Sequence, residues 1–213
     1  MCNHELQFPA THEPERDMST STKRTLIAAM QVTLDGSIHD ADGMSDWVDS
    51  WADGLGLLPP VDAFVLGGGM FPEYEQFWTA VLEDPGAAAE LLGREPYPRE
   101  VEYARLAAET PHLVVSRTLA DTSWPSARIV RDLDELAGFA RQPGKPVYVV
   151  GGPGLVAALI DARLLDELRL IVHPVALGGG RALFARRQAL ELVDAAPMAG
   201  GRVSLAYRPD ASR

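Results

Sequence analysis

Two stretches of this chain share one design: a short apolar run, then glycines, then an amphipathic run. One is Phe64 to Trp78, with Gly67-Gly68-Gly69 at its turn. The other is Val147 to Ala158, turning through Gly151-Gly152-Pro153-Gly154 into Leu155. Glycine lets backbone approach a ligand closely and reach positive φ. A helix that starts at such a turn aims unpaired N–H groups and the positive end of its dipole at whatever lies there. That combination suits a pyrophosphate. Ser116-Arg117-Thr118 ends a third apolar run. Ligands of open α/β sheets gather at the carboxyl ends of strands. One glycine turn alone is also simply how a strand ends; two of them in one sheet, with the Ser116-Arg117-Thr118 turn at a third strand end, are expected to enclose a dinucleotide.

Asp35 follows the first apolar run. A carboxylate there is a candidate to orient a substrate amine or relay a proton, although Asp35-Gly36 is equally a turn pair. The five histidines, at 4, 12, 39, 112 and 173, lack metal-ligand spacing, so no metal site is expected. His39 with Asp40 and Asp42 reads as a solvated loop. There is no G-x-S-x-G elbow of an α/β-hydrolase. Phe71, Tyr74, Phe77 and Trp78 read as core, while Trp47 and Trp51 lie in a polar loop where they could stack on a flat ring or pack on the domain. Gly152 to Ala157 also spells the G-x-G-x-x-A dinucleotide fingerprint. It comes too late in the chain for a Rossmann fold, and Asp166-Glu167 precede the next strand instead of ending it.

The elements that must position these residues follow from periodicity. Strands are expected at Arg24–Leu34, Ala63–Leu66, His112–Val115, Ala127–Val130, Val147–Val150 and Leu168–Leu177, with Leu190–Val193 and Arg202–Tyr207 at the end. Helices are expected over Phe71–Leu82, Arg99–Glu109 (Val101, Ala104 and Ala108 inward), Asp132–Arg141 and Leu155–Leu165, with a short helix in the polar loop after Asp35. Asp84-Pro85-Gly86 reads as a helix stop and 87–98 as irregular. Strands alternate with helices early and dominate late, which predicts an α/β domain with a mixed sheet, parallel first and antiparallel last.

The chain has 213 residues, 19 Lys and Arg, 30 Asp and Glu, and a formal net charge of −11. That balance repels nucleic acid and anionic lipid, so neither is an expected partner. No apolar run reaches the roughly 18 residues of a membrane span. The lone cysteine, Cys2, allows no internal disulfide, which fits a cytoplasmic protein. Residues 1–23, with Pro9, Pro14 and no apolar segment, read as a disordered leader, with Met18 an alternative start; 24–210 read as one domain.

At these residues the chain resembles the dihydrofolate-reductase-like reductases, and among them the C-terminal reductase domain of the bifunctional riboflavin-biosynthesis deaminase-reductase. Thr33-Leu34-Asp35-Gly36 is similar to that family's S-L-D-G, and Val115 to Thr118 to its V-S-R-T. Val147 to Leu155 is similar to its V-x-G-G-x-x-L, Leu165 to Leu168 to L-x-D-E-L, and Pro174 to Phe184 to P-V-x-L-G-x-G-x-x-L-F. The resemblance covers Thr25 to about Pro209. It implies a three-layer fold with a mixed, mostly parallel sheet and an antiparallel C-terminal part, and a cis Gly151-Gly152 bond. It implies NADPH as hydride donor, a small pterin- or pyrimidine-type substrate, and a homodimer. The cofactor would be held by Gly67, Gly68, Gly69, Ser116, Arg117, Thr118, Gly151, Gly152, Pro153, Gly154 and Leu155, with Asp35 at the nicotinamide or substrate. Gly68 stands where the family carries an arginine near the adenosine phosphate, which leaves NADH open. The zinc-binding His/Cys set of the deaminase half is absent from this sequence. A stand-alone NAD(P)H-dependent reductase is expected, the alternative being a ligand-binding regulatory protein that kept the fold without turnover.

Overall fold

A computed structural model describes residues 23–210. Of the leader, only Lys23 is among them, donating to Asp166 at 2.7 Å; Met18 and the rest of the expected disordered segment lie outside the described residues. The chain opens with β1 (Leu26–Thr33) and β2 (Ser37–His39), then a 3-10 helical segment, Trp51–Leu57. β3 (Ala63–Gly67), α1 (Phe71–Glu83), α2 (Pro85–Leu92) and α3 (Pro98–Glu109) follow. Next come β4 (His112–Val115), β5 (Ala127–Val130), α4 (Leu133–Ala140), β6 (Val147–Gly151) and α5 (Pro153–Asp161). β7 (Glu167–His173), β8 (Arg181–Ala182), β9 (Leu190–Pro197) and β10 (Val203–Pro209) complete it.

Eight strands form one sheet in the order β5-β4-β3-β6-β1-β7-β10-β9. The first six are parallel, and β10 and β9 run antiparallel. β2 and β8 form a separate antiparallel pair. This is the expected mixed architecture, and its strand order is not that of the Rossmann fold.

The central strands are buried on both faces, so their side chains alternate between two cores. Leu26, Ala28, Val65, Val147 and Val149 meet α4 and α5 through Leu136, Ala140, Val156, Leu159 and Ile160. Ala29, Phe64, Leu66 and Tyr148 face the other way, onto Ala52 of the 3-10 segment, Tyr74, Trp78 and Val81 of α1, and Tyr103, Ala104 and Ala107 of α3. Three layers result. Because β1, β3, β4, β6 and β7 are parallel, their carboxyl ends share one edge, and the three glycine- and serine-bearing turns lie along it.

Three expectations need correction. Residues 85–92 are helical, not irregular: Asp84 caps α2 by accepting from Ala87 N at 3.1 Å, Pro85 occupies the first turn, and Gly93 closes it at φ 65°. The same Asp-Pro-Gly that stops α1 therefore starts α2. On α3 the buried residues are Glu100, Tyr103, Ala104 and Ala107, while Ala108 is exposed. A charge can be buried there because Arg94 grips Glu100 with both nitrogens, at 2.8 and 2.9 Å. Burial alone would raise the Glu100 carboxyl; the Arg94 fork and the Tyr97 N–H outweigh it and hold the pKa below the usual range. Lastly, β7 ends at His173, where Pro174 removes the next donor.

Candidate active site

The structure brings the three turns into contact. Gly68 N donates to Val115 O at 2.9 Å, joining the end of β3 to the end of β4. A Cβ placed on Gly68 would overlap the Cβ and Oγ of Ser116. A Cβ on Gly67 would lie 3.9 Å from Leu155 Cβ and 4.0 Å from Gly152 N. Gly67 and Gly68 thus bridge the Ser116 turn on one side and the β6–α5 turn on the other. Ser116 Oγ is held by Leu119 N at 2.9 Å, and Arg131 ties down its carbonyl at 3.1 Å.

Two helices begin here without side-chain caps. α1 starts after Met70 and α5 after Gly152, and neither cap residue accepts a hydrogen bond through its side chain. Pro72 and Pro153 have no N–H to offer and Leu155 N donates to Gly152 O at 3.0 Å, so the first-turn donors left for an acceptor are those of Phe71 and Glu73 in α1 and of Gly154 in α5. Gly69, Gly152 and Gly154 have clear space where a Cβ would stand. Gly151 has φ +139° and a cis bond to Gly152, as the resemblance implies. Its Cβ position is walled by Met30 Sδ at 3.3 Å and Met70 Sδ at 3.6 Å. Arg117 and Thr118 are exposed, and no described residue pairs with the Arg117 guanidinium.

Beside these turns lies a cleft of about 570 Å³, reached by Gly152 and Pro153. Its floor is Ala29, Met30 and Gln31 of β1 and Tyr148 and Val150 of β6. One wall is Trp51 and Gly54 of the 3-10 segment, and the other is Met70 and, from α1, Glu73, Tyr74, Phe77 and Trp78, backed by Tyr103. Trp51 is half-exposed and on the cleft, so it is placed to stack on a flat ring, whereas Trp47 packs edge-on against His173 at 4.9 Å. His39 lines the mouth. Ion pairs hold the 3-10 wall in place: Asp53 binds Arg99 at 2.9 Å and Arg202 at 2.6 Å.

Asp35 is not among the residues lining this cleft. One of its oxygens accepts from Thr33 Oγ1 at 2.5 Å, and the other accepts from Leu177 N at 3.0 Å and Gly178 N at 2.8 Å. The Thr33 hydroxyl first, then the Gly178 N–H, hold its pKa below the ordinary value. The carboxylate ties the β1–β2 turn to the segment after β7.

Sequence reasoning treated the tyrosines as core and overlooked them as site residues. Tyr74 Oη lies 3.0 Å from Tyr103 Oη and 3.3 Å from His112 Nε2, and His112 Nδ1 is 2.8 Å from Thr110 O. A carbonyl only accepts, so Nδ1 carries the proton and Nε2 accepts from Tyr74. Tyr74 oxygen then accepts from Tyr103. Burial pushes the His112 pKa down to about 4, so this neutral tautomer persists at neutral pH. Tyr148 is 3% exposed, and no described residue bonds its hydroxyl. The signal that could have found it is a phenol inside an otherwise aliphatic strand, Val-Tyr-Val-Val.

Residues 24–200 match the RibD C-terminal domain family. The chain is 30% identical over 192 residues to the uncharacterized protein YyaP of Bacillus subtilis, covering 87% of this chain and 95% of YyaP. Among solved structures it is similar to the Thermotoga maritima diaminohydroxyphosphoribosylaminopyrimidine deaminase/5-amino-6-(5-phosphoribosylamino)uracil reductase. There the TM-score is 0.56 at 14% identity, with 88% of this chain and 57% of that one covered. It is also similar to dihydrofolate reductase from Enterococcus faecalis complexed with NADP(H), with a TM-score of 0.52 at 16% identity, covering 87% of this chain and 96% of that one. At such identities the structural likeness shows the fold, which is dihydrofolate-reductase-like.

Proposed function

This chain belongs to the RibD C-terminal domain family, and from that premise we propose that it is an NAD(P)H-dependent reductase of a small nitrogen heterocycle. The observation that carries the reading is the abutment of Gly68 on Ser116 and of Gly67 on the Gly152 turn, around two helix N-termini without side-chain caps. These residues fit a dinucleotide. The open glycines let a pyrophosphate approach backbone N–H groups, and the dipoles of α1 and α5 favour its charge. The reductase activity in the name of the Thermotoga maritima enzyme and the NADP(H) bound to the Enterococcus faecalis enzyme support the same reading.

A reduced nicotinamide, when bound, supplies the hydride. The protein's work is to hold and orient both reactants and keep water away. Gly152 and Pro153 bring the cofactor turn to the cleft, and Val150, Met30 and Met70 form its apolar lining there. Arg117, unpaired and beside Ser116, is the cation available to a 2′-phosphate, which favours NADPH over NADH. Asp35 acts as a positioning residue through the 177–178 turn.

The test is titration with NADPH and NADH by nicotinamide fluorescence, followed by cofactor oxidation with pterin and aminopyrimidine substrates. Saturable binding below about 100 μM with turnover is expected, and absence of binding to either cofactor would sink the reading. A second reading, binding without turnover, is favoured by the full engagement of Asp35 with turn donors. Tight cofactor binding with no oxidation across the panel would select it.

A further inference from the structure

The walls of the cleft carry an unusual charge balance beside the Thermotoga maritima enzyme of similar fold, which is named for a phosphoribosyl substrate. Among the described residues, no lysine or arginine lines it. Its formal charge comes from Glu73, at the third position of α1. The remaining surface is aromatic and aliphatic, with hydroxyls at the inner end. A phosphate monoester placed here would meet the Glu73 carboxylate and no lysine or arginine, with only the His39 imidazole as a basic group, while losing its own hydration.

The inner end is built differently. Tyr148 crosses from β6 towards the 3-10 segment and reaches Gly54; a Cβ on Gly54 would stand 2.9 Å from the Tyr148 oxygen. The missing side chain at 54 is what gives the phenol room. Burial raises the Tyr148 pKa, so the hydroxyl keeps its proton and can donate. Tyr103, by contrast, gives its proton to Tyr74 in the relay ending at Thr110 O, and its oxygen keeps acceptor capacity. The floor of the cleft thus offers a donor and the α1 side an acceptor. Both side chains are nearly buried yet line the cleft, and the donor has no protein partner, so a ligand in the cleft can complete it.

Resting on the reductase reading, we propose that the cleft takes a planar lactam ring without a phosphate group. Its C=O accepts from the Tyr148 hydroxyl, its N–H faces the Tyr103 oxygen, and Trp51 and Phe77 cover its surfaces. Tyr148 is then the specificity-determining residue of the site.

The experiment measures quenching of tryptophan fluorescence in the full chain by three probes: pteridine-2,4-dione, the same ring N-methylated at its lactam, and a phosphoribosylated aminouracil. Each is titrated against wild type and Tyr148→Phe, with NADPH affinity measured separately. The parent ring is expected to bind, methylation to weaken it about tenfold, and Tyr148→Phe to weaken it about fivefold to tenfold. NADPH affinity should change less than twofold in the variant. The phosphoribosyl compound should bind no tighter than the parent ring. Tenfold tighter binding of the phosphorylated compound overturns the proposal, as does indifference to both methylation and Tyr148→Phe. The methylated probe decides on wild type even if the variant folds poorly. Loss of NADPH binding alone would defeat the reductase reading, while the ring titrations would still decide the lactam site.

Discussion

Gly68 lies so close to Ser116 that a side chain on residue 68 would occupy the serine's own volume. The position where the resemblance implies an arginine is therefore not an open one in this chain. The backbone of the β3–α1 turn lies against the β4 turn, and the hydrogen bond from Gly68 N to Val115 O fixes it there at 2.9 Å. The neighbouring Gly69 is exposed with clear space around it.

The two glycines should accordingly respond in opposite ways. Gly68→Ala forces the Ser116 turn apart at a cost of about 1–3 kcal/mol, and should weaken both nicotinamide cofactors together. Gly69→Arg adds a cation without a clash, and should tighten NADPH several-fold over NADH. Paired titrations of the two variants, with thermal melts, check this. Equal behaviour of the two positions would mean that the turn is not where the phosphate is read.

Arg94 and Glu100 offer a stability test remote from the cofactor. Glu100 is 1% exposed, and Arg94 holds it as well as the Asp49 carbonyl at 2.7 Å. Arg94→Ala leaves a buried carboxylate without its partner and should cost about 3 kcal/mol in urea unfolding. Since the folded pKa of Glu100 is lowered from 4.5, its contribution is present above that value and is lost as pH falls through the lowered folded pKa. Arg94→Ala should flatten that part of the acid limb.

His112 sets a different pH window. Its pKa is about 4 in the fold against 6.5 for an unperturbed histidine. Between those values the unfolded chain takes up a proton that the native one refuses. Stability is thus full above pH 6.5 and declines by up to about 3 kcal/mol on approach to pH 4. His173, whose pKa is lowered chiefly by burial, adds to the loss in the same direction. Urea midpoints measured from pH 8 to pH 4 should show this slope, and His112→Gln should reduce it.

Much of this was legible in the sequence. The strands ending at Gly67, Val115 and Gly151 were readable because short apolar runs stop at residues that only turns favour. α1 was readable because Phe71, Tyr74, Trp78 and Val81 keep helical spacing. The lost element, α2, shows the limit: Asp84 is a stop for one helix and a cap for the next, and composition alone does not tell these apart. Tyr148 was hidden for another reason. A tyrosine in a buried strand is nearly always core, and only the vacancy at Gly54, on a different element, turns its hydroxyl into a handle. The reach of Asp35 was likewise invisible, since its partners stand 142 and 143 residues away.

That distance makes Asp35 the sharpest remaining test. If it touched the reacting atoms, Asp35→Asn would abolish turnover and remove a pKa from the rate profile. The geometry instead has one oxygen on Thr33 and the other on Leu177 N and Gly178 N. An asparagine can keep its oxygen on the two amides only by turning its N–H groups to Thr33, whose hydroxyl must then accept instead of donate, and without the negative charge both sides of the clamp weaken. The expected outcome is faster hydrogen exchange at the Leu177 and Gly178 amides and a raised KM, with kcat reduced less than tenfold and the rate profile unshifted. Because the Thr33 hydroxyl and then the Gly178 amide lower the Asp35 pKa below 3.8, wild type should hold this clamp at neutral pH and release it only as pH falls through that lowered value. A loss of kcat beyond about a thousandfold, with unchanged amide exchange at 177 and 178, would return Asp35 to the chemical step.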